Sequence, residues 1–435
     1  MKVGFIALGC AKNLVDSEMI LGSLNAAGIE IVDNPEQADV IIINTCGFIE
    51  SAKQETIDTI HEMKKYGKKL VVCGCYAERY RSKLLTEMPF IDLVIPLHDY
   101  PKIHLILAKL FQENRLNYLP LGFENRLLTG SVYSPYVKIG DGCDNCCTYC
   151  AIPLIRGHYH SRMAEDVLSE CRHLVQMGAK EINLISQDTS RFGSDLPGSW
   201  TLAKLLDEVS RIPGIVMVRA LYLYPDAISD ELLTTIQNNP KIVRYFDIPI
   251  QHSVNRILKQ MNRRGDQDRI RERIRKIRTM IPHSTIRTTV IVGFPGETDD
   301  DFQALLDFVE EIEFDRLGAF IYSPEEDTPA FNFPDRIASE VANLRFDRLL
   351  RLQRKISRRK NRAEIGRIHQ TLVEAFDEKS RFYYGRSGAF APDDIDGNIV
   401  FQSTIKHSIG AIVPVLIREA IGYDLLGDAY LEAKE

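Results

Sequence analysis

Short apolar runs alternate with stretches of helical period along the first 115 residues. Residues 2–8, 29–33, 40–44, 69–73 and 91–96 read as strands, and 14–27, 51–66, 78–88 and 101–114 as helices. Such alternation predicts an α/β domain built on a parallel, doubly wound sheet, whose strand carboxyl ends are where ligands gather. Residues 116–133 hold no sustained period and contain Pro and Gly, the pattern of a linker. A second βα series starts near Pro135. Its strands are expected at 136–139, 181–186, 215–223, 245–249, 285–292 and 317–322, with helices at 164–177, 202–211, 230–238 and 300–313 among the intervening segments. Six βα units predict a partial (βα)6 barrel with its chemistry at the strand carboxyl ends. Residues 335–364 read as one long helix with ten basic and four acidic residues, a solvated connection between domains. From 365 to 435 the pattern changes to short β runs (370–376, 399–402, 411–417) split by Gly and Asp turns, as in a small antiparallel β-barrel of the OB kind. The expected domains are therefore 1–115, a linker at 116–133, 134–334, a linking helix at 335–364, and 365–435.

The length of 435 residues agrees with two to three domains. A composition of 45% hydrophobic and 26% charged residues excludes disordered, collagen-like and coiled-coil chains. The net charge of −6 argues against a general polyanion binder. No window of 18 apolar residues predicts a membrane span, and MKVGFIALGC lacks the basic and apolar regions of a signal peptide. A cytoplasmic location is expected. In a reducing compartment the nine cysteines need a reason other than disulfides. Cys171, inside a helical pattern, reads as a small buried hydrophobe. Cys10, Cys46 and Cys75 each follow the end of a different strand (FIALGC, IIINTC, LVVCGC) and could converge at one point.

The densest cluster is CDNCCTYC, where Cys143, Cys147 and Cys150 form C-x3-C-x2-C just after the first strand of the second series. Three thiolates on a tight loop can hold three irons of a cubane cluster and leave the fourth open. A structural zinc site would need a fourth ligand at regular spacing. A ferredoxin-type run would add a further cysteine and a proline.

At these residues the chain resembles the radical S-adenosylmethionine superfamily, whose signature is this triad with an aromatic, here Tyr149, before the last cysteine. The resemblance implies that the open iron chelates S-adenosylmethionine, which on one-electron reduction gives methionine and a hydrogen-abstracting 5′-deoxyadenosyl radical. Cys146 stands where the superfamily usually has another polar residue, and it receives no role. Gly293 and Gly296, in GFPGE after the fifth barrel strand, resemble the superfamily's glycine-containing motif and imply close approach of backbone to cofactor.

The whole arrangement resembles the methylthiotransferases. The motifs that carry the likeness are LGCAKNLVDSE, NTCGFIESA, GCYAERY, KIGDGCDNCCTYCAIPLIRG, IVGFPGET and a terminal barrel like a TRAM domain. The resemblance implies a flavodoxin-like first domain, a radical core and a second, auxiliary 4Fe-4S cluster held by Cys10, Cys46 and Cys75. Cys73, two residues before Cys75, competes for that assignment. It also implies two molecules of S-adenosylmethionine, one donating methyl and one the radical, and a low-potential electron donor.

Family members modify either a transfer-RNA adenosine or the β-carbon of an aspartate in the small-subunit ribosomal protein numbered twelve. The terminal 71 residues hold seven Lys and Arg against eleven Asp and Glu, with Asp393, Asp394 and Asp396 in one turn. An acidic barrel should repel RNA and attract a basic ribosomal protein. LISQDTSRFG, LYLYPDAIS, YFDIPIQHS and FIYSPEEDTPA also resemble the ribosomal-protein-modifying branch, known as RimO. Gln187, Asp188, Tyr224, Asp226, Gln251 and His252 are expected at the barrel mouth without individual roles. Two other readings are a transfer-RNA methylthiotransferase and a non-catalytic iron–sulfur module docked on the ribosome.

Overall fold

The computed structural model describes residues 1–111 and 121–430. These fall into two compact units. The first contains the described residues of Met1–His173, Ile185–Gln187 and Ser323–Phe331, and the second those of Leu174–Leu184, Asp188–Tyr322 and Asn332–Glu435.

In the first unit, β1 (Lys2–Ala7), β2 (Glu30–Val32), β3 (Val40–Thr45), β4 (Lys69–Gly74) and β5 (Leu93–Ile95) form one parallel sheet in the order β2-β1-β3-β4-β5. Every residue of β3, VIIINT, is buried, as a strand covered on both faces requires. Helices α1 (Ala11–Ala26), α2 (Glu50–Lys64), α3 (Cys75–Arg79), α4 (Arg81–Glu87) and α5 (Ile103–Phe111) join the strands. Ile41, Ile43 and Val72 pack with Ile60 and Met63 in one core, and Val3, Ile42 and Val71 pack with Ile20, Leu24, Ile103 and Leu107 in the other. The doubly wound sheet is thus present, and its strand order reverses beside β1, where such folds bind ligands.

Local departures from the expected elements have clear causes. The helix expected at 78–88 starts at Cys75 and breaks at Tyr80, whose φ and ψ of −121° and 27° are not helical. Pro101 sits in a 3-10 turn (Leu97–Lys102) ahead of α5. Residues 112–114 of that expected helix and 116–120 of the linker lie outside the described residues. Residues 121–133 lack period but are firmly held. Buried Arg126 donates to Glu18 and to Glu170 (2.6 Å), and the Leu127 N–H donates to the Glu18 carbonyl. The unit continues through β6 (Tyr136–Lys138), β7 (Gly140–Asp141), α6 (Ile152–Arg156), β8 (His160–Ser161) and into α7 (Ala164–Gln176).

The second unit carries β9 (Glu181–Ile185), α8 (Leu202–Ser210), β10 (Met217–Ala220), α9 (Asp230–Asn238), β11 (Tyr245–Asp247), α10 (Asn255–Gln260), α11 (Gln267–Met280), β12 (Thr285–Val292), α12 (Asp299–Ile312) and β13 (Arg316–Ile321). Pairing is parallel between β9 and β10, β11 and β12, and β12 and β13, and a Val218–Ile242 bridge spans the gap beside β10. Thr201, Ser229, Asp266 and Thr298 cap α8, α9, α11 and α12 by accepting first-turn N–H groups. Helix α13 (Ser339–Arg362) follows, anchored where Gln353 donates to the Phe314 carbonyl and Arg316 to Asn361.

Strands β14 (Ile368–Phe376), β15 (Tyr383–Arg386), β16 (Ile399–Gln402), β17 (Ile412–Ile421) and β18 (Asp424–Ala429) close into a barrel in the order β14-β15-β16-β18-β17. Four seams are antiparallel as expected, and the β16–β18 seam is parallel. Buried Glu181 bonds both Arg219 (3.0 Å) and Arg386 of the barrel. Asp396 is also turned inward, accepting from the Tyr245 hydroxyl (2.5 Å) and the Ala391 N–H. It therefore contributes nothing to an acidic surface, unlike the exposed Asp393 and Asp394. Among the described residues no helix is long and apolar enough to cross a membrane.

Candidate functional site

Parallel strands β1, β3 and β4 are neighbours, so their carboxyl ends lie side by side, about 4.8 Å apart. Cys10 caps α1 just beyond β1, Cys46 follows β3, and Cys75 opens α3 directly after β4. Two glycines let these loops close up. A Cβ on Gly9, whose φ is +96°, would stand 2.8 Å from the Cys46 Cβ. One on Gly47 would stand 2.9 Å from the Tyr76 Cα. Asn13 ties the strand ends together, its amide donating to the Leu8 and Thr45 carbonyls at 2.9 and 2.8 Å.

Burial pushes the Cys75 thiol up to about 12 and also raises Cys46. Arg156 opposes the shift at both, and each thiol feels charge on Cys10. Cys73 is different. It belongs to the apolar core, separated from Cys75 by Gly74 and the end of β4, not on a shared strand face. Among the described residues no three Cys, His, Asp or Glu side chains converge on a single metal ion. Three thiols that follow neighbouring strand ends are the donor type that an iron–sulfur cluster takes.

The second set of thiols lies in the loop between β7 and α6. The loop is fastened at its base, where the Cys143 N–H donates to the Gly157 carbonyl (3.1 Å), and by Asp144, which meets His158 at 2.9 Å. Cys146 is exposed and left-handed (φ 49°), marking where the chain turns back, whereas Cys147 is buried. The Cys150 N–H donates to the Cys147 carbonyl at 3.0 Å. Tyr149 is half-buried. The compact C-x3-C-x2-C turn presents three soft donors from one short loop, which fits a cubane with one open iron.

Arg156, at the end of α6, was not singled out by sequence. Its side chain is 3% exposed. Nη2 donates to Asp16 (3.0 Å) and Asn13 Oδ1 (2.9 Å) and lies 3.4 Å from the Cys75 sulfur, while Nη1 reaches Asp141 at 2.9 Å. Burial alone would raise the Asp141 pKa, but Lys138 and Arg156 hold it well below the usual carboxylate range. The side chain following the second cysteine loop therefore touches the first. Ser323–Phe331 makes another such link. Its buried Glu325 pairs with Arg79 (2.7 Å) and Lys53 (3.1 Å), Arg79 also donates to the Gly47 carbonyl, and the Ala330 N–H donates to the Thr148 carbonyl. The sequence signals were the polar spacings N-x2-D within CAKNLVDSE and the charges of SPEEDTPA, both legible only as motifs.

The remaining expected residues follow strand ends. Gln187 donates to Asp141 at 2.8 Å. Asp188 is buried and accepts from Ser190. Tyr224 stacks beneath Arg263 (4.0 Å), and Asp226 pairs with Arg264 at 3.3 Å. Gln251 is left-handed (φ 67°) and joins the sheet through Thr289 and Ile291. Burial drives His252 down to about 3, so it is neutral, and its Nδ1 accepts the Val254 N–H. Gly293 has φ +72°, and a Cβ there would meet the Ala342 Cβ at 2.8 Å, a packing reason for glycine on its own. Gly296 shares the left-handed region at φ +77°. Glu297, which sequence reading passed over, accepts the Gly293 and Phe294 N–H groups and pairs with Arg345. Burial raises it to about 7. Cys171 is fully buried, as expected of a core thiol.

Comparison with known proteins agrees with this architecture. Family models match residues 2–96 (uncharacterized protein family UPF0004), 137–309 (radical SAM superfamily) and 365–429 (TRAM domain). The chain is 45% identical to the ribosomal protein uS12 methylthiotransferase RimO of Acetivibrio thermocellus, over 100% of this chain and 99% of that one. It is 46% identical to the protein of the same name from Clostridioides difficile, over 99% of each. Among solved structures, the radical S-adenosylmethionine methyltransferase TsrM of Kitasatospora setae shares the fold, with a TM-score of 0.56, 15% identity and 76% of each chain covered. With full-length likeness at this level, the chain belongs to the RimO family of radical S-adenosylmethionine methylthiotransferases.

Proposed function

We propose that this chain attaches a methylthio group to the β-carbon of an aspartate in the small-subunit ribosomal protein uS12. Family membership implies S-adenosylmethionine and a 4Fe-4S cluster. We assign that cluster to Cys143, Cys147 and Cys150, and a second cluster to Cys10, Cys46 and Cys75, with Tyr149, Gly293 and Gly296 near the bound cofactor. When bound, these groups supply hydrogen abstraction at the first site and sulfur and methyl transfer at the second, at the cost of two S-adenosylmethionine molecules and electrons from a low-potential donor. The residues around them hold and shield. Arg156 places a fixed positive charge beside Cys75, favouring an anionic ligand in a buried setting. Asn13 keeps the ends of β1 and β3 in register. Arg79, Lys53 and Glu325 seal the Cys46 loop with a buried ion cluster, limiting water.

One observation carries the chemistry: both cysteine triads lie in one compact unit, and Arg156 connects their loops. The substrate assignment is supported by the names of the full-length relatives and by the exposed acidic turn at Asp393 and Asp394, suited to a basic protein. The test is anaerobic S-adenosylmethionine cleavage by reduced protein. Cys143→Ala should abolish 5′-deoxyadenosine formation. Cys10→Ala should retain it yet transfer no methylthio group. Equal loss of cleavage in both variants would remove the case for separate clusters, and cleavage by neither parent nor variant would leave only a binding module.

A further inference from the structure

Helix α13 buries one face and leaves the other strongly basic. Ala342, Leu349, Gln353, Ile356 and Asn361 are buried. Arg351, Arg354, Lys355, Arg358 and Arg362 are exposed, and their side chains make no hydrogen bond or ion pair among the described residues. Positions 351, 355, 358 and 362 follow the spacing of one helical stripe, about 16 Å long, with 354 beside it. Neighbours four apart on this stripe carry the same sign, which works against the helix and contributes nothing to its stability. The helix dipole favours cations in the last turn, such as Arg359, Lys360 and Arg362, but not those up to three turns earlier. Arg345, by contrast, is internal, bonded to Glu297 and Asp299.

We propose that this stripe is a docking face for the phosphate backbone of RNA, and that the chain meets uS12 in the company of ribosomal RNA. Five cations without counter-ions among the described residues match a polyanion. The exposed stripe on α13 is of one sign, whereas the barrel surface mixes acids such as Asp393 and Asp394 with bases such as Lys379 and Lys406, so the helix is the face that suits a polyanion. The uS12 reading enters only in naming ribosomal RNA as the source of phosphate.

The experiment measures binding of the reconstituted full chain to in vitro transcribed small-subunit ribosomal RNA, and separately to free uS12, across a potassium chloride series. Neutralising five phosphate contacts gives a log–log salt slope of at least about 3.5 in magnitude. A variant with Arg351, Arg354, Lys355, Arg358 and Arg362 all changed to Ala should lose most of that slope and bind more than tenfold more weakly at moderate salt. The four arginines among them changed to Lys should retain the slope. Cleavage of S-adenosylmethionine, which needs none of these exposed residues, should be equal in all three and certifies folding. An unchanged slope in the alanine variant overturns the proposal. So does a parent chain that binds free uS12 but not RNA, a result that leaves the substrate assignment intact.

Discussion

Gly9→Ala probes how the auxiliary thiols are brought together. At φ +96° an L-residue costs roughly 1–2 kcal/mol more than glycine. The added methyl would also stand 2.8 Å from the Cys46 Cβ, 3.1 Å from its sulfur and 3.5 Å from the Asn13 amide nitrogen. The Cys46 Cβ is not a flexible tip, since it hangs directly from the backbone at the end of fully buried β3. Relief therefore needs a shift of that strand end, costing roughly another 1–3 kcal/mol as overpacking usually does. Gly28→Ala is the matched control. Gly28 also has positive φ (+79°), but nothing lies within 4 Å of its added Cβ. Anaerobically reconstituted protein is assayed for iron, acid-labile sulfide and spin signals. Gly9→Ala should fall from about eight to about four irons per chain, keep S-adenosylmethionine cleavage and lose methylthio transfer. Gly28→Ala should retain all three. Full iron and transfer in Gly9→Ala would refute the inference that close packing of Gly9 on Cys46 builds the second site.

Three further perturbations follow from buried charges. Arg156→Met leaves Asp16 and Asp141 with Lys138 as their remaining cation, costing about 3–5 kcal/mol. It should move the midpoint potential of the auxiliary cluster to more negative values in a spin-monitored redox titration, with Arg156→Lys partly restoring it. Arg126→Met leaves buried Glu18 without its cation and Glu170 with Arg162 as its remaining one, and should speed amide hydrogen exchange in α1 by a margin matching about 3–5 kcal/mol. His252 has a folded pKa of about 3 against 6.5 when unfolded, so the unfolded chain binds the extra proton between those values. Its stabilising contribution is present above pH 6.5 and is lost as pH falls toward 3, by roughly 1.4 kcal/mol per pH unit at most. His252→Gln should flatten that acid limb in a pH series of denaturant melts.

The fold was legible where burial is one-directional. Runs such as VIIINT and KLVVCG, apolar without alternation, announce strands covered on both faces, and LGC, NTC and GCY mark their ends. Elements that depend on closure were not legible. Strands β15 (YYGR) and β18 (DLLGDA) carry interior glycine, and the second also carries Asp, so their strand state comes from barrel pairing and not from propensity. Helix α11 shows only Ile270, Ile274 and Ile277 as its buried stripe among eight charged residues. At the site, the cysteines stand out by type and spacing. Arg156, Asn13 and Glu325 do not, because bonds that join Arg156 to Asp16, Asn13 to the Thr45 carbonyl and Glu325 to Lys53 connect distant parts of the chain and leave no local pattern. Asp396 shows the converse error: sequence counts a charge on the surface that folding turns inward.

The most direct trial of the whole account is mass spectrometry of uS12 and of transfer RNA from cells with and without this chain. Replacement of hydrogen by SCH3 predicts a gain of about 46 Da on one aspartate of uS12 that disappears when the chain is absent. An unaltered uS12, with the same gain found instead on a transfer-RNA adenosine, would contradict it.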